Sequence, residues 1–304
     1  MQWSRRGLLL SAPIGFDWAV SHAALPVPVP LGGNRIRIFF SARDDRGRAQ
    51  IGHAEVELGS SDGAPEIAPE PAIGLGPLGA FDDSGVTASC VVEHGGRWYQ
   101  YYSGWQLGVT VPFSLFVGCA VSDDGVTFEK VSSAPVLERN AVDPFLTASP
   151  WVIVEDGLWR MWYVSGTGWQ LEAGGPKHHY HLKYAESDDG LNWRREGRVA
   201  IDYRDESEYA FSRPCVVRDD DCYRMWFSSR GDRYRIGYAV STDGLVWERL
   251  DGQEGLDGAP GEWDSEMQAY PVVQDHAGRR IMLYNGNGYG ETGIGYAERL
   301  PAQN

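Results

Sequence analysis

The sequence is short of positive charge. Lys and Arg number 27 against 42 Asp and Glu, a net charge of −15 over 304 residues. A phosphate backbone would be repelled, so nucleic acid is not an expected partner. No apolar run approaches the roughly 18 residues of a membrane-spanning helix, so the membrane is not an expected partner either. Cysteine is sparse. Cys90, Cys119, Cys215 and Cys222 have no metal-ligand spacing, and reduced thiols in a cytoplasmic protein are the expectation. The tract His178-His179-Tyr180-His181 holds no i,i+4 histidine pair. It lacks a zinc pattern and reads as a solvated loop. Neither a metal nor a cofactor is expected.

What the chain has is repetition. A strand start recurs at Pro26, Cys90, Pro150, Pro214 and Pro271, roughly every 60 residues. A second strand recurs from Arg35, Trp98, Trp159, Tyr223 and Arg280, and a third ends at Ala54, Ala120, Ala185, Ala239 and Ala297. Three copies add Ser-x-Asp-Gly-x-x-(Trp/Phe), from Ser122, Ser187 and Ser241, a turn into an outer strand. The stretch from Pro150 to Val164 shows the unit most clearly: an apolar run, an Asp156-Gly157 turn and an aromatic-rich return strand. In-phase copies of a four-stranded meander predict an all-β, five-bladed β-propeller, where unrelated strands would predict an open sandwich. One domain is expected over 1–304, with blades near 12–75, 76–138, 139–202, 203–253 and 254–300.

The last copy lacks an outer strand. Trp3-Ser-Arg-Arg-Gly7 is similar to the outer strands at Trp193 and Trp247. It is therefore expected to pair with the strand from Gly293 to Glu298 and close the ring, leaving no exposed edge. Ser4-Arg5-Arg6-Gly7 has the look of an export signal, but the apolar stretch after it is short and runs into Asp17.

In such a ring, the loop before each first strand and the loop after each second strand share one mouth. The sequence brings Asp17, His22, Asp82, Asp83, Asp143, Glu208, Asp264 and Glu266 there from one set of loops. The other set brings Arg43, Trp105, Trp169, Arg230, Asn285, Asn287 and Tyr289. Aromatic faces stack on sugar C–H groups, while carboxylates, amides and guanidinium groups bind hydroxyls, so the mouth has the composition of a carbohydrate pocket. Capping of backbone groups is the competing role for each Asp and Ser. Trp162 and Trp226 lie mid-strand and are expected in the core.

The repeats, the Asp-Pro and Ser-Arg-Pro strand starts, and the Met-Trp-Tyr and Ile-Gly-Tyr-Ala strands resemble the five-bladed propeller glycosidases of glycoside hydrolase families 43, 32 and 130. Asp82-Asp83-Ser84-Gly85, Trp263-Asp264-Ser265-Glu266 and Tyr284-Asn285-Gly286-Asn287 resemble a branch encoded among bacterial polysaccharide genes. The resemblance implies a carbohydrate or sugar-containing partner and glycosidase-type action, hydrolysis or phosphorolysis, with glycosyl transfer or glycan binding without catalysis as alternatives. The convergence of the mouth loops gives the expected roles: Glu208 as general acid, Asp83 or Asp17 as base and Asp143 as the orienting carboxylate, with His22, Asp82, Arg213 and the mouth residues named above on the substrate. Family 43 places its base directly before the blade-one proline and its acid as Glu-x-Pro in blade four; here Leu25 precedes Pro26 and Ser212-Arg213 precede Pro214, with no carboxylate at either point. Arg43, Arg213 and Arg230 are suited to hold a phosphate or a substrate carboxylate, or to pair with the mouth's own acids.

Overall fold

The computed structural model describes residues 3–60, 63–256, 258 and 260–300. It is built almost wholly of antiparallel sheet, in three four-stranded sheets and one eight-stranded sheet. The first sheet holds Ser21–Gly32, Arg35–Arg43, Ala49–Glu57 and Glu66–Ile67. The second holds Gly85–His94, Arg97–Leu107, Phe113–Ser122 and Glu129–Lys130. The eight-stranded sheet has two halves. Thr147–Glu155, Leu158–Glu172 and Gly175–Ser187 follow one another, with Val199–Ile201 against the third strand. Ala210–Arg218, Tyr223–Arg230, Tyr234–Ser241 and Glu248–Arg249 make the other half. Strand pairing between the halves is the parallel pair Tyr180↔Ala210.

The last sheet joins the chain's two ends. Ala269–His276, Arg279–Asn285 and Ile294–Arg299 are completed by Trp3–Leu10, which pairs antiparallel with Ile294–Arg299 from Trp3↔Arg299 to Leu10↔Ile294. This is the closure that the Trp3 motif predicts. Side chains reinforce it. Trp3 Nε1 donates to Glu254 Oε2 at 3.0 Å, Arg6 pairs with Glu298, and Arg5 is bonded to Asp264. The first strands of the successive units touch in cyclic order, with Ala269–His276 returning to Ser21–Gly32.

Local chemistry accounts for the strands. The Asp156-Gly157 turn has φ 51° and 82°, the positive pair of a hairpin turn that suits strand twist. Each Ser-x-Asp-Gly turn is self-contained. Asp189 Oδ1 accepts from the Leu191 and Asn192 N–H groups, and Ser187 Oγ accepts from Gly190 N. Gly190 is required there: φ is 74°, and a Cβ would lie 2.7 Å from the Trp159 ring. Trp162 and Trp226 are fully buried, as expected. So are Cys90 and Cys215, whose thiols burial pushes up to about 12, the behaviour of inert apolar side chains.

Candidate functional site

Every first strand carries a bulge at the same height. The register slips between Ala24 and Val27, Ala88 and Cys90, Ala148 and Trp151, Ser212 and Cys215, and Ala269 and Val272. Leu25, Ser149, Arg213 and Tyr270 sit in these bulges at φ 57°, 45°, 56° and 58°, each directly before a proline. A left-handed non-glycine residue costs on the order of 1–3 kcal/mol, and such strain concentrates at working sites. Neighbouring second strands satisfy the bulged N–H groups. Ser149 N donates to Ser103 Oγ, Tyr270 N to Ser228 Oγ, and Leu25 N to Asn285 Oδ1 at 2.8, 2.7 and 2.7 Å.

The bulges open onto a cavity of about 260 Å³. Leu25, Ser149, Ser212 and Tyr270 line it from the first strands, with His22, Arg43, Trp105, Arg230 and Tyr289 from the mouth loops and strand ends. One wall is aromatic. Trp105 packs on Phe113 at 4.9 Å between centroids, Phe113 on Trp169 at 5.1 Å, and His178 stacks on Tyr180 at 4.7 Å with planes 7° apart. A tyrosine cage adjoins it, with the Tyr180 and Tyr234 hydroxyls 3.4 Å apart: the Arg230 guanidinium lies 5.4, 5.1 and 5.6 Å from the ring centroids of Tyr209, Tyr234 and Tyr289. Among the described residues, no carboxylate lines this cavity.

The carboxylates are latched elsewhere. Asp82 Oδ2 accepts from Tyr102 and from Lys130 at 3.0 and 2.6 Å. Asp143 is fully buried and accepts from Tyr163, Ser165, Lys183 and Arg195. Burial pushes its carboxyl up, but the Ser165 hydrogen bond, the Lys183 charge and the Tyr163 hydroxyl outweigh that and hold it below the usual range. Asp264 takes Tyr284 and Arg5. Glu208 takes Arg249 at 2.6 and 2.8 Å together with Ser229. Against burial, the Arg249 hydrogen bonds keep Glu208 below the usual range as well, a poor state for a general acid.

The expected site residues therefore divide. His22, Arg43, Trp105, Arg230 and Tyr289 converge on the cavity. Glu208 and Trp169 line a separate outer groove with Tyr203 and His179. Asp83 is half-buried, accepting from Gly79 N and Ser84 Oγ, and Asp17 is exposed on the loop before His22; neither lines the cavity. Other expected substrate ligands are occupied by the fold itself. Arg213, only 2 % exposed, donates to the carbonyls of Pro26, Ala88 and Ser89, a clamp between first strands. Asn285 is fully buried on Leu25, Ala23 and Gly293. Asn287 Oδ1 accepts from the N–H groups of Glu266 and Met267, and Glu266 is exposed. The histidine tract is not a loop: His178 to His181 lie in Gly175–Ser187, half-buried or buried against aromatic rings.

Several cavity residues are missed by the sequence reading: His178, Tyr180, Tyr234, Tyr270, Phe113, Ser149 and Ser212. The signal for three of them lies in the chain. Ser149, Ser212 and Tyr270 stand immediately or almost immediately before the recurring first-strand prolines. Glu291 was also missed; its Oε1 is 3.9 Å from His22 Nε2 at the mouth, and its side chain is 67 % exposed. Burial and the Arg43 charge lower the His22 pKa against a smaller opposing pull from Glu291, so the ring is neutral at neutral pH.

This architecture is that of the propeller glycoside hydrolases. A glycoside hydrolase of known structure superposes with a TM-score of 0.76 at 15% identity, covering 98% of this chain and 92% of its own. A thermostable family-43 glycoside hydrolase gives a TM-score of 0.71 at 16% identity, covering 96% and 93%. At this identity the likeness establishes the fold. No family model matches the chain. It belongs to the family of two Mycobacterium tuberculosis proteins, Uncharacterized protein MT1551 and Uncharacterized protein Rv1502, each 44% identical over 98% of this chain and 99% of the relative. A 1,2-beta-oligomannan phosphorylase of Thermoanaerobacter sp. is 29% identical over 133 residues, 41% of this chain and 44% of its own.

Proposed function

We propose that the protein is a five-bladed propeller, one domain over 1–304, that processes a carbohydrate at a glycosidic bond in the central cavity. The blades follow the repeat boundaries given above, with the eight-stranded sheet divided at Tyr180↔Ala210. The observation that carries the reading is the cavity itself, where strained first-strand bulges present hydroxyl, aromatic and guanidinium groups to one space. The glycoside-hydrolase fold and the partial likeness to an oligomannan phosphorylase support it.

In this reading Trp105 and Tyr289 stack on sugar rings, while Ser149, Ser212 and the tyrosine hydroxyls bind sugar hydroxyls. Asp143, Asp82 and Glu208, tied to Lys183, Lys130 and Arg249, hold the mouth in shape. Proton transfer falls to carboxylates with solvent access: Asp83, Asp17 and Glu291, the last through His22. Glycan binding without catalysis is the second reading, favoured by a cavity whose lining, among the described residues, holds no carboxylate.

The test is to incubate the protein with an oligosaccharide panel, β-1,2-linked mannosides included, with and without inorganic phosphate, and to follow product by mass spectrometry. Turnover abolished in His22→Ala supports the enzymatic reading. Saturable sugar binding without turnover selects the second, and neither binding nor turnover defeats both.

A further inference from the structure

The arginines on the mouth face fall into two groups. Arg5, Arg195 and Arg249 are each bonded to a buried or half-buried carboxylate: Asp264, Asp143 and Glu208. Arg43 and Arg230 line the cavity, and neither guanidinium makes a hydrogen bond or ion pair among the described residues. Arg43 is exposed, but Arg230 is half-buried, and in a chain of net charge −15 a half-buried guanidinium left without a carboxylate needs an explanation. Arg230 is held by three tyrosine rings, which fix its place without neutralising its charge. Arg43 closes the strand Arg35–Arg43 and lines the cavity beside His22, on which its charge acts.

A second observation lies at the same place. Ser212 lines the cavity and is only 7 % exposed, yet its Oγ has no hydrogen-bond partner. A buried hydroxyl without a partner is uncommon, and it marks a donor kept for something absent. Cationic forks and a spare O–H donor form a set complementary to an oxyanion. The neighbouring imidazoles agree. Burial and the Arg230 charge push His178 down to about 4, so it adds no charge of its own.

We infer that the cavity takes an oxyanion, met by Arg43, Arg230 and Ser212, and that the substrate is a sugar used together with that oxyanion. The group is either part of the sugar, as a phosphoryl or carboxylate substituent, or a free phosphate bound beside a neutral sugar. The inference rests on the carbohydrate reading only for the nature of the group's companion; the oxyanion site stands on the arginines and Ser212.

Isothermal titration separates the cases, with mannose, mannose 1-phosphate, glucose, glucose 6-phosphate, glucuronate and inorganic phosphate as probes. A charged sugar binding about tenfold or more tighter than its neutral parent, and weakening as salt rises, places the charge on the sugar. Inorganic phosphate binding alone, through the same arginines, places it on free phosphate. In both cases Arg43→Gln costs about tenfold or more in affinity, the scale of one charge-assisted hydrogen bond. The Arg43 guanidinium has no hydrogen bond or ion pair to lose, so that variant keeps the wild-type Tm; Arg230→Gln repeats the test from the tyrosine cage. The oxyanion site is overturned if neutral sugars bind as tightly as charged ones and Arg43→Gln changes nothing, an outcome that leaves the carbohydrate reading intact. It is also overturned if no charged probe binds; if the neutral sugars fail too, the carbohydrate reading falls with it.

Discussion

Tyr163 donates its phenolic hydrogen to Asp143 Oδ2 at 2.9 Å, across 20 residues of sequence. The same separation recurs for Tyr102 with Asp82 at 3.0 Å and Tyr284 with Asp264 at 2.8 Å. In each case a cation completes the latch: Lys183 and Arg195, Lys130, and Arg5. The latch ties the loop before a first strand to the second strand and to a cation on an outer element. Asp143→Ala strands two cations beside a buried gap, and a loss of about 3–5 kcal/mol of stability is expected. Tyr163→Phe removes one hydrogen bond and costs about 1 kcal/mol. Urea denaturation of both variants checks the order.

The N-terminal strand is the second testable element. Deleting residues 1–10 uncovers the edge of Ile294–Arg299 and removes one partner each of Glu254, Asp264 and Glu298. The truncated protein is expected to self-associate through that edge and to lose a cooperative thermal transition. Size-exclusion chromatography and calorimetry read both. A truncated protein that elutes and melts as the full chain does would show that closure is dispensable.

The stitches between neighbouring units make a third prediction. Asn285→Ala leaves the Leu25 N–H and the Ala23 and Gly293 carbonyls without their buried partner, and about 2–4 kcal/mol should be lost. Ser228→Ala frees only Tyr270 N and should cost about 1–2 kcal/mol.

His178 fixes a pH dependence. Its folded-state pKa of about 4 lies below the ordinary imidazole value, so the unfolded chain binds the proton more readily. Stability carried by His178 is fully present above about pH 6.5 and is lost as the pH falls from there towards 4. His178→Gln should flatten that part of the stability profile relative to wild type, while the lower-pH loss carried by Asp143 and Glu208 remains.

The repeats are legible because each unit needs the same turn and strand chemistry at the same spacing, so even the Trp3 strand at the far end of the chain can be placed. The carboxylates at the mouth are not legible in the same way. Asp143 is read as a site residue because its loop position is visible, whereas Lys183 and Arg195, 40 and 52 residues away, are what claim it. Arg213 has the position of a mouth residue, but its bulge turns it into the ring, onto the carbonyls of Pro26, Ala88 and Ser89. Conversely, Tyr270 and Ser149 look like ordinary strand residues until the bulge re-aims them into the cavity. Side-chain direction at a bulge depends on register, which local sequence does not encode.

The central claim is that carbohydrate binds in the bulge-lined cavity and not at the latched carboxylates. The most direct measurement is the affinity of a sugar identified by screening for wild type, Tyr289→Ala and Asp83→Asn beside Glu208→Gln. The account predicts that Tyr289→Ala weakens binding about tenfold or more, because a stacking face of the cavity is lost. It predicts that Glu208→Gln, whose side chain belongs to the outer groove and the Arg249 pair, leaves affinity unchanged once the folded fraction is matched. Loss of binding in Glu208→Gln with Tyr289→Ala unaffected would contradict the account and move the site to the outer groove.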